Sequence, residues 1–142
     1  MKEILKLLRK VKEKNKNVYI CGNGGSASTA NHFANDLVKM CGMKAISLCA
    51  NQAIVMAYAN DNGYENIFVE QLKVFYEKGD ILVTISGSGT SKNIVKAQKF
   101  VTKKGDSYIS FPTISIMKCS MAEIEDMHLI TIHKIATQLC QN

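Results

Sequence analysis

The stretch "DILVTISGSGTSKNIVKA", Asp80 to Ala97, decides the fold. Its opening, Asp80 to Ser86, is a nearly continuous apolar and β-branched run, the pattern of a strand buried on both faces of a parallel sheet. The run stops at glycines and hydroxyl residues, Ser86 to Ser91, and a helical pattern follows from Ser91 to Lys104. A strand that feeds straight into a helix is part of a βαβ unit, and the units on either side of it set the architecture.

Upstream, "NVYICG" (Asn17 to Gly22) is a strand stopped by glycine and followed by a helix over 26–40. "KAISLCA" (Lys44 to Ala50) is another strand, followed by helical signal to Tyr58 and again from Tyr64 to Tyr76. Residues 1–15 form an N-terminal helix and 121–140 a C-terminal one. This alternation predicts a doubly wound, flavodoxin-like α/β fold: a three-layer αβα sandwich around a parallel sheet. Residues 1–142 read as one domain. After Gly105 the period breaks, because the strand "DSYISFPTISI", which holds the only proline, Pro112, follows the helix almost without a loop. Helix-to-strand connections normally need a few residues, so a segment is expected to be missing between Gly105 and Asp106.

Composition narrows the function classes. The 142 residues are 46% hydrophobic, enough for an ordinary core. The net charge of +6 is local: seven bases, Lys2, Lys6, Arg9, Lys10, Lys12, Lys14 and Lys16, lie in the first sixteen residues beside two acids, Glu3 and Glu13. The remainder holds eleven bases against ten acids. Ile4, Leu5, Leu7, Leu8 and Val11 give that basic segment one apolar side, so its lysines form a solvated helix face. Arg9 is the only arginine, which argues against a nucleic-acid surface. Five scattered cysteines without a C-x-x-C pair read as reduced thiols of a cytoplasmic protein. No apolar run suits a membrane span or a signal sequence.

Two glycine-rich loops carry the chemistry. In "CGNGGSAS" (Cys21 to Ser28), Gly24 and Gly25 let backbone approach an anion, and Ser26 sits where a helix presents unpaired N–H groups. "GNGGSA" also fits the dinucleotide fingerprint, but the next strand ends in "CANQ" with no acid to hold a ribose, so no nucleotide cofactor is expected. The second loop, "SGSGTS" (Ser86 to Ser91), offers the hydroxyls of Ser86, Ser88, Thr90 and Ser91 at another helix N-terminus. Two such loops at the ends of parallel strands converge on one crevice, and the absence of a G-K-[ST] sequence argues against a nucleotide triphosphatase.

The stretches "CGNGGSAS", "HFANDL", "ANDNGYENIF", "GDILVTISGSGTSKNIVKA" and "EIEDMHLITIH", which span most of residues 18 to 133, resemble the sugar isomerase (SIS) domain. Within it they are similar to the phosphoheptose isomerases, which interconvert sedoheptulose 7-phosphate and D-glycero-D-manno-heptose 7-phosphate for lipopolysaccharide or capsule. The resemblance implies that Ser86, Gly87, Ser88 and Ser91, with backbone near Thr90, hold the sugar phosphate. It places Asn23, Gly24, Gly25 and Ser26 at the sugar, with Asp61 and Glu125 also at the site. It makes Asp36 and His133 the acid/base pair, and it implies a zinc ion on His32, Asp36, Glu125 and His133. Three departures accompany it: Asp36 and Glu125 stand where the family usually has glutamate and glutamine, "MAE" replaces the usual Asp-Arg or Thr-Ala-Arg, and a strand and helix after "KKG" are absent.

Aldose–ketose isomerisation moves a proton between adjacent carbons through an enediol, and needs a base and an acid. His32 and Asp36 are i, i+4 and share a helix face. Glu125 and His133 lie eight residues apart, about 12 Å along a helix axis. His128 reads as structural. Apolar stripes, Leu5–Leu8 and Ile130–Ile135–Leu139, are expected to be covered by other copies in a homotetramer. A non-catalytic sugar-phosphate or partner-binding SIS module is the alternative, and an aminosugar-phosphate enzyme a third reading.

Overall fold

The structure is a computed structural model and describes residues 1–111 and 119–141. Helix α1 (Lys2–Glu13) leads into strand β1 (Asn17–Gly22), helix α2 (Gly25–Lys39), strand β2 (Lys44–Ser47) and helix α3 (Gln52–Asn62). A 3-10 turn (Tyr64–Asn66) then joins helix α4 (Ile67–Phe75) to strand β3 (Ile81–Ile85), helix α5 (Lys92–Lys103), strand β4 (Tyr108–Phe111) and helix α6 (Met121–Cys140). The four described strands are all parallel, in the order β2-β1-β3-β4.

All five residues of β3 are buried, as an unalternating apolar run requires of a central parallel strand. Two apolar layers flank the sheet. One joins Leu5, Leu8 and Val11 of α1 to Phe33 and Leu37 of α2 and to Ile132, Ile135 and Leu139 of α6. The other joins Tyr19 and Leu82 of the sheet to Phe68 and Leu72 of α4 and to Ile94, Ala97 and Val101 of α5. This is the predicted three-layer sandwich.

Several expectations change in detail. β2 stops at Ser47 rather than Ala50, because the chain turns there, the Ser47 carbonyl accepting from the Ala50 N–H. α3 runs on to Asn62 and buries none of its residues. The stripes expected to need other copies are covered within the chain: Leu5, Leu8, Ile135 and Leu139 pack together, and only Ile130, 52% exposed, stays outside. Of "DSYISFPTISI", Tyr108–Phe111 form β4, while Pro112 and the residues after it up to 118 lie outside the described residues.

At the abrupt junction after α5 the chain makes a Schellman turn. The Gly105 N–H donates to the Thr102 carbonyl at 2.9 Å, and the Asp106 N–H to that of Val101 at 3.3 Å. β4 begins two residues later.

Candidate active site

Strand register brings the two glycine-rich loops together. Gly22 pairs with Ile85, so the next residues, Asn23 and Ser86, leave the sheet side by side at its C-terminal edge. Gly22 permits a close strand–helix approach, since a Cβ there would sit 2.5 Å from the Ser26 carbonyl oxygen.

The serine loop is braced by its own hydroxyls. The Gly89 N–H donates to Ser86 Oγ at 3.0 Å and the Thr90 N–H to Ser88 Oγ at 3.3 Å. A hydroxyl that accepts in this way keeps its own proton to donate, so both serines remain donors for an anion. Ser91 is the N-cap of α5, yet its side chain makes no capping bond. Ser91, Lys92, Asn93, Asn23, Tyr64 and Glu65 line a crevice of about 350 Å³.

Asn23 does not stand alone. Its Nδ2 donates to Asn93 Oδ1 at 3.0 Å, while its Oδ1 accepts from Asn93 Nδ2 at 2.8 Å and from the Tyr64 hydroxyl at 2.9 Å. Both lone-pair directions of its oxygen are taken, so toward a ligand it offers a remaining N–H. Asn93, 2% exposed, also accepts from the Ile94 N–H at 2.9 Å. Neither Asn93 nor Tyr64 was among the residues expected from the sequence. Asn93 had a signal: with Ala97 and Val101 it lies at i, i+4, i+8, a polar amide on an apolar stripe. Glu65 borders the same crevice, and its own backbone N–H and then Lys96 hold its carboxyl below the ordinary value.

Helices α2 and α6 supply the titratable cluster. His32 Nε2 and His133 Nε2 are 2.8 Å apart, with the rings edge to face, and Asp36 Oδ2 is 3.4 Å from His32 Nε2. The two Nε2 atoms are within hydrogen-bonding reach of each other, and the tautomer decides which ring donates. Asp36 is buried, with its other oxygen accepting from Asn35 Nδ2 at 3.2 Å, whereas both histidines are exposed. Ligating atoms of His32, Asp36 and His133 all lie within 4.8 Å of one another, which lets one metal ion reach all three. Two imidazoles, a carboxylate and an open position match a zinc donor set.

Glu125 is the expected ligand that this group does not include. Its carboxylate lies against Gly25 in the first turn of α2, where only the lack of a side chain leaves room. A carboxylate there meets the positive end of the helix. On the same end of α6, Met121 and Ile124 cover Gly87 of the serine loop, so the first turns of α6 lie across both loops. A capping box fixes that end: the Glu123 N–H donates to Ser120 Oγ and the Ser120 N–H to Glu123 Oε2, which also lowers the Glu123 carboxyl. The S-x-x-E spacing was a readable signal. Ser26 is buried in the first loop's helix. Asp61 is exposed in the last turn of α3, where it accepts from Asn60 Nδ2 at 2.7 Å. His128 is buried against Phe111.

The model of the SIS domain matches residues 1–111. The phosphoheptose isomerase of Helicobacter pylori (strain P12) is 34% identical over 151 residues, covering 94% of this chain and 79% of that protein. The chain belongs to the SIS-domain family, among the phosphoheptose isomerases. A second such relative, from Thermodesulfovibrio yellowstonii, is 38% identical over 116 residues, covering 78% of this chain and 58% of its own length. Among solved structures, the phosphoheptose isomerase of Neisseria gonorrhoeae superposes with a TM-score of 0.87 at 26% identity, covering 99% of this chain and 84% of that one. The Francisella tularensis phosphoheptose isomerase gives 0.91 over the same coverages and, at 24% identity, attests the fold.

Proposed function

We propose that this SIS-domain chain is an aldose–ketose isomerase that interconverts sedoheptulose 7-phosphate and D-glycero-D-manno-heptose 7-phosphate. The observation that carries it is the meeting of His32, Asp36 and His133 from two helices, in a domain whose serine loop keeps hydroxyl protons to donate. Ser86, Ser88 and Ser91, with the backbone of Gly87 and Thr90, hold the phosphate. Asn23 and Ser26 position sugar hydroxyls, and Asp61 and Glu125 border the sugar. Asp36 and His133 take the proton from one carbon and serve the neighbouring oxygen, the two tasks an enediol route requires. A non-catalytic module has no use for a histidine pair and a buried carboxylate at hydrogen-bonding range.

His32, Asp36 and His133 would hold a zinc ion, with Glu125 as the fourth residue of the set. Bound there, the ion supplies Lewis acidity toward a carbonyl or enediolate oxygen. Elemental analysis of the purified chain is expected to find one divalent ion per chain, and His32→Ala to lose it. A full complement in His32→Ala argues that the ion sits elsewhere.

The enzyme is read as a homotetramer in the cytoplasm. Support comes from α3, which buries none of its residues within the chain and leaves Met56 70% exposed. Among the described residues no helix is long and apolar enough to cross a membrane. A monomer in light scattering at micromolar concentration rejects the tetramer.

The junction at Gly105 and Asp106 is read as the place of a missing segment. The match to the Helicobacter pylori relative runs over 151 residues, more than the 142 of this chain, so that relative carries residues absent here. Sequencing the coding DNA across the junction tests this.

The activity is tested by incubating the chain with sedoheptulose 7-phosphate. The aldose phosphate is the expected product, and its absence with the metal site filled favours a binding module.

A further inference from the structure

Five residues beyond Asp36 and seven beyond His133, two thiols meet. Cys41 follows the C-terminal end of α2, Cys140 is the last residue of α6, and their sulfurs are 2.6 Å apart although 99 residues separate them. A small displacement separates this from a covalent S–S distance of about 2.05 Å. Cys41 is buried, and its thiol also donates to the Ala136 carbonyl of α6 at 3.4 Å, while Cys140 is exposed. The other three cysteines have different settings. Cys21 is buried in β1, Cys49 donates to the Gly22 carbonyl at 3.3 Å, and Cys119 precedes α6.

We infer that Cys41 and Cys140 form a reversible intrachain disulfide that staples together the two helices carrying His32, Asp36 and His133. The oxidant is a low-molecular-weight disulfide. Exposed Cys140 reacts first: its thiolate attacks one sulfur of the oxidant, the oxidant's S–S bond breaks, and one small thiolate leaves. Burial, and then the bond to the Cys140 thiol, push the Cys41 thiol up to about 12, so Cys41 stays protonated and leaves the first attack to Cys140; its place against Cys140 Sγ is what fits it to the second step. Cys41 gives its proton to the departing small thiolate as its sulfur attacks Cys140 Sγ, and the mixed disulfide breaks. Two protein thiols are oxidised to one disulfide, and one small disulfide is reduced to two thiols. No further electron acceptor is needed.

The staple closes a long loop across the domain, the case in which a cross-link removes most freedom from the unfolded chain. It does not depend on the assigned activity, since it links helix ends rather than site residues.

The test treats the full folded chain with oxidised glutathione, blocks remaining thiols with N-ethylmaleimide, and maps the peptides by mass. The expected result is a Cys41–Cys140 cross-linked pair with two hydrogens lost, reversed by dithiothreitol, while Cys21, Cys49 and Cys119 are alkylated after denaturation. Tm is expected to rise by on the order of 10 °C. Cys140→Ser, a change at an exposed position, is expected to abolish both effects and to leave activity in reducing buffer unchanged. Cys41→Ser is expected to stop at a glutathione adduct on Cys140. A stable adduct on Cys140 in the unaltered chain, with Cys41 still open to alkylation, overturns the inference, as does a cross-link through any other cysteine or an unchanged Tm in the cross-linked chain.

Discussion

The two ends of the sheet are both rich in polar groups, and they use them oppositely. At the N-terminal end of the strands most of the groups are spent on the protein, the buried Asp106 Oδ2 being an exception. Asp80, 3% exposed, accepts through Oδ1 from the Asn17 N–H at 2.9 Å and through Oδ2 from the Glu77 N–H at 2.9 Å. Tyr76 donates its hydroxyl to the Asp80 carbonyl at 2.7 Å, and Tyr19 donates to that of Phe75 at 2.9 Å. Burial, then the charge of Asp80, push the Tyr19 hydroxyl up to about 12, as suits a permanent donor. At the C-terminal end, Ser86 and Ser88 accept from backbone yet keep their protons, Ser91 leaves its cap unmade, and two exposed histidines turn their Nε2 atoms toward each other. A cleft larger than the crevice at the serine loop, about 460 Å³ beside Lys10, Lys14, Lys16 and Lys78, is at this N-terminal end. Hydrogen-bonding capacity left over, rather than cavity size, separates site from scaffold.

The strongest way to break this contrast is to remove the groups with most capacity left. Asp36→Asn and His133→Ala are each expected to lower kcat by roughly 10²-fold or more, with sugar-phosphate binding nearly intact, because the phosphate rests on a different loop. Near-wild-type turnover in both returns the cluster to the scaffold. Asp36→Glu restores the usual family length and is expected to keep or raise turnover if reach to the substrate proton is what matters. A loss would mean that the pocket is built around the shorter acid.

Ser88→Ala comes next in size. A hydrogen bond to a charged group contributes about 1.5–3 kcal/mol, so KM is expected to rise by ~10-fold or more with kcat little changed. A fall in kcat with KM fixed would put Ser88 in the chemistry instead.

The contrast between the ends was only half legible in the sequence. The α/β alternation and the positions of both loops were readable, because an unalternating run such as Ile81–Ile85 has few other places to go. Which loop residues brace one another was not. The Asn23–Asn93–Tyr64 network joins three elements, and strand register, which sequence periodicity does not give, brings them together. The stripes of α1 and α6 were readable as apolar, but their covering of each other depends on both helices lying on one face of the sheet. The resemblance makes Glu125 a ligand, whereas its contact with Gly25 depends on the angle at which α6 crosses α2.

Glu125→Gln gives a smaller effect that sharpens the same point. A carboxylate at the start of α2 meets the helix dipole, worth about 0.3–1 kcal/mol, and stands where an anionic sugar phosphate must approach. The neutral amide is expected to raise KM, as the proposed place of the carboxylate at the sugar and in the metal set requires. A KM lowered by ~2–5-fold would mean that the carboxylate only repels the phosphate and takes no part in binding.

The smallest effect on activity belongs to the N-terminal end, and it is the control on which the contrast rests. Asp80→Ala removes the acceptor of two backbone N–H groups, those of Asn17 and Glu77, at the entrance to β1 and β3. Each donor left buried and unpaired costs about 1–3 kcal/mol, against a total stability of about 5–15 kcal/mol for a domain of this kind. Tm is therefore expected to fall by on the order of 10 °C. Asp80→Asn keeps one acceptor oxygen and is expected to recover part of the loss. Well below the lowered transition, kcat and KM of both variants are expected to match the parent, because no bond from Asp80 reaches the serine loop or the histidine pair among the described residues. If instead Asp80→Ala leaves Tm unchanged but raises KM, the lysine-lined cleft beside it takes part in binding, and the division into a spent end and an open end fails.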